Sequence, residues 1–193
     1  IDLPPSNYVM VDAKNRVWLT VSTRSVPRHL SHRPTANDGF IVLVENGNAR
    51  VVADGLGYTN EVQLDATGTW LYVNETFGRR LSRFKVATDG SLSDRETVTT
   101  FGHGTYPDGL TLDAEGHVWI TAVVSNRLIR VAPDGSQHLV LEDSDADFVE
   151  AAEQAFHGEG LGQAQLAMIK SQKLKNIASL AFGGEDLRTV YLG

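Results

Sequence analysis

The chain contains no cysteine, which excludes disulfides, thiolate ligands and a cysteine nucleophile and leaves any metal to oxygen or imidazole donors. It lacks an excess of positive charge as well. The formal net charge is -7 and the basic residues are mostly scattered, which argues against a nucleic-acid partner, because neutralising phosphates needs clustered Lys and Arg. No apolar run approaches the roughly 18 residues of a membrane span, so no membrane partner is expected. The stretch from Ile1 to Pro5 lacks the basic and apolar regions of a signal peptide, although a removed leader leaves no trace in such a reading. No Ser/His/Asp nucleophile motif and no phosphate loop are present. What remains is an ordinary globular composition, 193 residues with 41% hydrophobic and 21% charged, enough for one sizeable core. A soluble protein is expected, with the cytoplasm preferred and the oligomeric state open.

Internal repetition is the strongest positive signal. Four segments superpose: 7–20, 60–73, 108–121 and 176–192. Each begins with Asn or Asp (Asn7, Asn60, Asp108, Asn176), continues as an alternating strand, turns, and returns through a strand bearing an aromatic residue. The alternation has the period of a half-buried strand, and Lys14-Asn15, Thr67-Gly68 and Glu115-Gly116 suit the positive φ of a tight hairpin. Two further strands follow each of the first three hairpins, giving four antiparallel strands per unit of about 50 residues, the signature of β-propeller blades. About four blades are represented. Trp18, Trp70 and Trp119 recur at nearly equivalent places and are expected in the core between blades.

The repeat starts lie 53, 48 and 68 residues apart, and the long last interval changes pattern. Between 145 and 170 a short helical insertion is expected, capped by Asp145 or Asp147, with Phe148, Ala151, Ala152, Ala155 and Phe156 on one face before Gly158. Leu161 to Ile169 reads as a second helix. The interval 143–175 reads as a helical lid on a single propeller domain, 1–193, that looks incomplete at both ends, since a ring ending within a blade leaves open sheet edges.

An up-and-down meander places all hairpin turns at one end of the blades and the longer, more polar loops at the other. Asn7, Asn60, Asp108 and Asn176 then all start at the long-loop end, on the strands nearest the axis, where they converge and suggest a metal site. Loop 22–38, with Arg24, Arg28, His29, His32 and Arg33, and loop 101–107, with His103 and Tyr106, share that mouth. Asp108 in Pro107-Asp108-Gly109 also suits a simple turn, as Asp134 does, and the basic loop suits either an anionic substrate group or plain solvation.

The order and spacing of Asn7 with Val11-Asp12, Thr59-Asn60, Leu71 to Thr76, Pro107 to Leu110 with Leu112 to Gly116, and Ala181 to Gly184 with Asp186 to Thr189 resembles the senescence-marker-protein/gluconolactonase/luciferin-regenerating family of six-bladed propellers. The resemblance implies one divalent cation in the central channel, held by a Glu, an Asn and an Asp, and hydrolysis of sugar or other lactones. Residue by residue it implies Asn60 and Asp108 as metal ligands, Asp108 also as the catalytic general base, and Asn7 as a contact to substrate or to metal-bound water. Three departures stand out: the blade bearing the Glu ligand is not in this chain, Pro5 stands where sugar-lactone members carry Arg, and the insertion 143–175 is long.

Two amide oxygens and a carboxylate favour Ca²⁺, with Zn²⁺, Mg²⁺ and Mn²⁺ as alternatives. The expected function is therefore a metal-dependent, gluconolactonase-like carboxylic-ester hydrolase acting on a small lactone or ester, the cation polarising the carbonyl and Asp108 activating water. His103 and Glu75 are further candidates for touching substrate, with Glu75 and Arg79 as a pair at the mouth. The alternatives are a non-catalytic propeller serving as a binding or scaffolding module, and an enzyme resembling strictosidine synthase.

Overall fold

The computed structural model describes residues 3–158, 160–168 and 171–193. The alternating segments pair as hairpins and build three antiparallel four-stranded meanders. The first contains β1 (Tyr8–Val11), β2 (Val17–Val21), β3 (Gly39–Glu45) and β4 (Asn48–Leu56); the second contains β5 (Thr59–Leu64), β6 (Trp70–Glu75), β7 (Arg80–Val86) and β8 (Leu92–Thr100). The third contains β9 (Thr105–Leu112), β10 (Val118–Val124), β11 (Arg127–Val131) and β12 (Gln137–Glu142), and a two-stranded sheet of β13 (Leu180–Gly183) and β14 (Thr189–Leu192) follows. The described residues thus form an all-β architecture of four antiparallel sheets, with helices only in the connections: a 3-10 turn at Arg28–Ser31, α1 (Ala146–His157) and α2 (Gln163–Ala167). None is long and apolar enough to cross a membrane.

The turn chemistry explains the hairpins. Asn46 and Gly47 both have positive φ, 51° and 75°, as a two-residue loop between right-twisted strands requires. The recurring Asp ties each first hairpin. Asp12 accepts the N–H groups of Lys14 and Arg16, the Arg16 guanidinium and the Trp18 indole. Asp113 accepts the N–H groups of Glu115 and His117 and the Trp119 indole in the same way.

Successive first strands meet, β1 against β5, β5 against β9 and β9 against β13, so the sheets succeed one another around a common line. Trp18, Ile41 and Leu43 of the first sheet pack with Val62, Leu71 and Phe84 of the second. Tyr72 and Leu81 of the second pack with Leu110, Ile120 and Ile129 of the third. Each such side chain contributes on the order of 1.5–3 kcal/mol by leaving water. Of the three tryptophans only Trp18 is fully enclosed; Trp70 and Trp119 are half-buried. Leu64 pairs with Leu71 where Val11 pairs with Val17 and Leu112 with Val118. The second hairpin loop is one residue longer, so Tyr72 stands where Trp18 and Trp119 do.

Asp145 caps α1, accepting the Phe148 N–H at 2.8 Å. The buried face carries Val149, Ala152, Glu153 and Phe156, while Ala151 is exposed, so the apolar stripe expected from spacing is rotated. A charged residue turns inward because Glu153 takes the Arg79 guanidinium, the Gly104 N–H and the Tyr106 hydroxyl. The second helix starts two residues later than expected, at Gln163, and its expected end at Ile169 lies outside the described residues. The ends of the insertion are held together by Asp143, whose carboxylate accepts the N–H groups of Gln172, Lys173 and Leu174.

Candidate functional site

The first strands of the second and third sheets share one irregularity. Thr59 pairs with Glu75 and Val62 with Val73, so β5 holds one residue more than β6 across Asn60-Glu61; β9 does the same across Asp108-Gly109, between Pro107 opposite Ala122 and Leu110 opposite Ile120. An extra residue bends a strand and re-aims its side chains. Both bulges fall on the residue that opens the repeat.

The strand motif of the second sheet secures them. Asn74 Nδ2 donates to the carbonyls of Asp108 and Gly109 at 2.9 and 3.2 Å. Thr76 Oγ1 donates to the Pro107 carbonyl at 2.8 Å and accepts from Asn60 Nδ2 at 3.0 Å. The Gly109 N–H reaches Thr121 Oγ1 at 3.1 Å, as the Tyr8 N–H reaches Thr20 Oγ1. Gly109 must be glycine, because a Cβ there would lie 2.7 Å from both the Ala178 carbonyl oxygen and Ser179 Cα.

Asn7, Asn60, Asp108 and Asn176 consequently line one cleft of about 490 Å³. Asn7 Nδ2 donates to Asn60 Oδ1 at 2.5 Å. The walls are Arg28, His32, Tyr58, Phe77 and Val123, together with Gln163, Leu166 and Ala167 from α2 and its N-terminal turn. Behind them Tyr58, Phe77, Tyr106, Val149, Phe156 and Leu161 form one core cluster, so the insertion is packed onto the cleft. The Arg28 Nε–H donates to the Tyr58 hydroxyl at 2.8 Å, and that hydroxyl lies 3.0 Å from His32 Nε2. His32 Nδ1 is 2.9 Å from the Leu161 carbonyl, an acceptor, so the neutral ring donates there and accepts from Tyr58.

Burial, followed by the neighbouring Glu61 carboxylate, raises the Asp108 carboxyl to about 7, against the opposing pull of the Asn60 side chain and the Arg28 charge. Glu61 is itself raised to about 6 by burial, although it accepts the Leu110 N–H at 3.0 Å. Burial lowers His32 to about 4, so it is neutral at pH 7.

Glu75 and His103 are not brought to this cleft. Glu75 is fully buried behind it, where its carboxylate accepts the Gly57 N–H, the Ser82 hydroxyl and the guanidinium groups of Arg80 and Arg95. Burial alone would raise this carboxyl, but those donors hold it below its ordinary range. No free oxygen is left for a ligand, and the expected pair with Arg79 is replaced, since Arg79 binds Glu153. His103 is exposed, 3.2 Å from Glu150 on the outer side of α1. The sequence reading does not single out Glu61 or Tyr58; the signal for Glu61 is the polar doublet Asn60-Glu61 at the repeat position equivalent to Asp108-Gly109.

Asn7, Asn60 and Asp108 offer hard oxygen donors, which suit a cation such as Ca²⁺ or Mg²⁺ in type. Among the described residues no group of three or more His, Cys, Asp or Glu is placed to hold a metal, so neutral oxygens must supply much of any coordination here.

Sheets succeeding one another around a polar mouth define a protein of β-propeller type. The chain belongs to the family described as SMP-30/Gluconolactonase/LRE-like region, whose model matches residues 4–164. It is similar to the 6-deoxy-6-sulfogluconolactonase of Pseudomonas putida, 26% identical over 159 residues, covering 81% of this chain and 45% of that protein. It is similar also to the pentonolactonase XacC of Haloferax volcanii, 25% identical over 189 residues, covering 96% and 52%. The chain spans about half the length of the curated relatives it matches. Among solved structures, luciferin-regenerating enzyme superposes with a TM-score of 0.70 at 16% identity, and the calcium-binding protein regucalcin from Agrobacterium tumefaciens with 0.66 at 18%, each covering 97% of this chain and 52% of the other. These likenesses concern the fold.

Proposed function

We propose that the protein hydrolyses lactones at the cleft between the first strands of its sheets, within a six-bladed propeller to which this chain contributes about four blades. The observation that carries the proposal is the repeated bulge, which delivers Asn60 and Asp108 to the same cleft as Asn7. Lactonase names on the similar Pseudomonas and Haloferax proteins support the reaction class.

Asp108 is the general base. Its carboxylate takes a proton from water as the water oxygen attacks the lactone carbonyl carbon, and the ring C–O bond then breaks as the departing ring oxygen takes that proton from the Asp108 carboxyl, releasing the hydroxy acid and restoring the base. Asn7 and Asn60, joined by their own hydrogen bond, orient the substrate oxygens at the cleft floor. Phe77, Val123 and Leu166 cover the ring and exclude water, with the insertion 143–175 as the lid. A divalent cation held by Asn60 and Asp108, most simply Ca²⁺, supplies Lewis acidity for the carbonyl when bound. Neither Glu75 nor His103 takes part.

Asp108→Ala should abolish lactone hydrolysis with the thermal unfolding midpoint retained, and retention of most activity would refute the base assignment. Calorimetric titration with calcium separates the enzyme from a scaffolding propeller of the same fold: the enzyme binds the ion, and Asp108→Ala weakens that binding.

A further inference from the structure

The cleft holds one fixed positive charge among its described residues, and it comes from loop 22–38 rather than from the repeated first strands. Arg28 sits in the 3-10 turn Arg28–Ser31 at the cleft mouth and is exposed. Four other arginines around the same end are matched to carboxylates: Arg79 to Glu153, Arg80 and Arg95 to Glu75, and Arg127 to Glu142. Among the described residues no carboxylate pairs with Arg28. Its hydrogen bonds go to neutral hydroxyls, from Nε to Tyr58 at 2.8 Å and from Nη2 to Ser22 at 3.1 Å. A guanidinium has five N–H donors, so three remain once these two are spent.

Those two bonds aim the group. Tyr58 is held from behind by His32, and Ser22 is buried at the end of β2, so the fork has little freedom to follow solvent. A planar guanidinium held in place with unspent N–H groups suits a carboxylate, sulfonate or phosphate, which it engages through paired, charge-assisted hydrogen bonds.

We propose that Arg28 is a specificity-determining residue that selects lactones carrying an anionic substituent away from the ester, the ester end lying at Asn7, Asn60 and Asp108. This rests on the lactonase proposal for the site.

Two measurements test the assignment. In the first, hydrolysis of glucaro-1,4-lactone, which carries a carboxylate, is compared with that of neutral glucono-1,5-lactone. The wild type should prefer the anion, and Arg28→Met should reduce the ratio of the two kcat/KM values by about tenfold or more, mostly through KM for the anionic lactone, the size expected for losing a charged hydrogen bond. Arg28→Lys, which keeps the charge and loses the fork, should fall between. In the second, calorimetric titration with the open-chain dianion glucarate should show binding that Arg28→Met weakens by about tenfold or more. Hydrolysis of neither lactone with Arg28-dependent glucarate binding sinks the lactonase reading and keeps the anion site. An unchanged preference ratio, or glucarate binding that is absent or indifferent to Arg28, overturns the proposal.

Discussion

The two ends of the sheets use the same repeat to opposite effect. At the turn end, Asp12 and Asp113 sit among donors; burial alone would raise both carboxyls, but the indoles and backbone N–H groups around them prevail and hold both below the ordinary range. At the mouth, Asp108 is enclosed beside another carboxylate with few donors, and its carboxyl rises to about 7. A groove of similar volume opens at the turn end too, about 490 Å³, but its Asp12 and Arg16 are spent on one another at 2.7 Å. Spare hydrogen-bonding capacity, rather than concavity or residue type, distinguishes a site from a support.

The sharpest test of this contrast is Asp108→Asn, expected to lower kcat by roughly 10²–10⁴-fold with no loss of thermal stability. A large stability loss would make Asp108 a support like Asp12. Next in size is Glu153→Ala. It strands the nearly buried Arg79 along with the Gly104 N–H and Tyr106 hydroxyl, and should cost on the order of 3–5 kcal/mol in denaturant unfolding. Asp12→Ala is the counterpart at the other end: about 2 kcal/mol of stability lost with its charge-assisted hydrogen bonds, and lactone turnover within a few-fold of wild type.

The smallest effect is in pH, and its sign differs between groups. Glu75 and Glu153 have folded pKa values below 4.5 because their arginine, hydroxyl and N–H partners outweigh burial. Their stabilisation is complete above 4.5 and is lost as pH falls below it. Asp108 is raised from 3.8 to about 7, so its contribution is present below 3.8 and is lost as pH rises through about 7. In chelator-treated protein, Asp108→Asn should therefore unfold at a higher temperature than wild type at pH 8, with the difference shrinking toward pH 4. Scanning calorimetry at both pH values measures it, and an equal difference at each would contradict the raised Asp108 carboxyl.

Much of this was legible before any coordinates. Asn7, Asn60, Asp108 and Asn176 share one cleft, as repeat position implies, because first strands of a meander all begin at the same end, and Asp145 caps α1 as its place before the apolar stripe implies. Other features failed for identifiable reasons. Ala151 was placed inside and Glu153 went unnoticed because helical spacing ranks residues by polarity, whereas an arginine from a distant loop made a carboxylate the better buried group. Glu75 looked available because a sequence cannot show that Arg80, Arg95, Ser82 and the Gly57 N–H have already claimed both its oxygens. Trp70 was misaligned by a one-residue difference in turn length, which reverses the face of every later side chain in its strand.

The sequence by itself determined the strands, the hairpin turns and the four polar residues that converge, since alternation, turn residues and caps are local and repeat with the blades. Only the tertiary structure decided which charges are spent and which are spare. Bulges, partner arginines and the fit of the 143–175 insertion against Phe77 and Tyr106 join residues far apart in the chain, and the properties of a carboxylate or guanidinium are set by whichever neighbours folding brings to it.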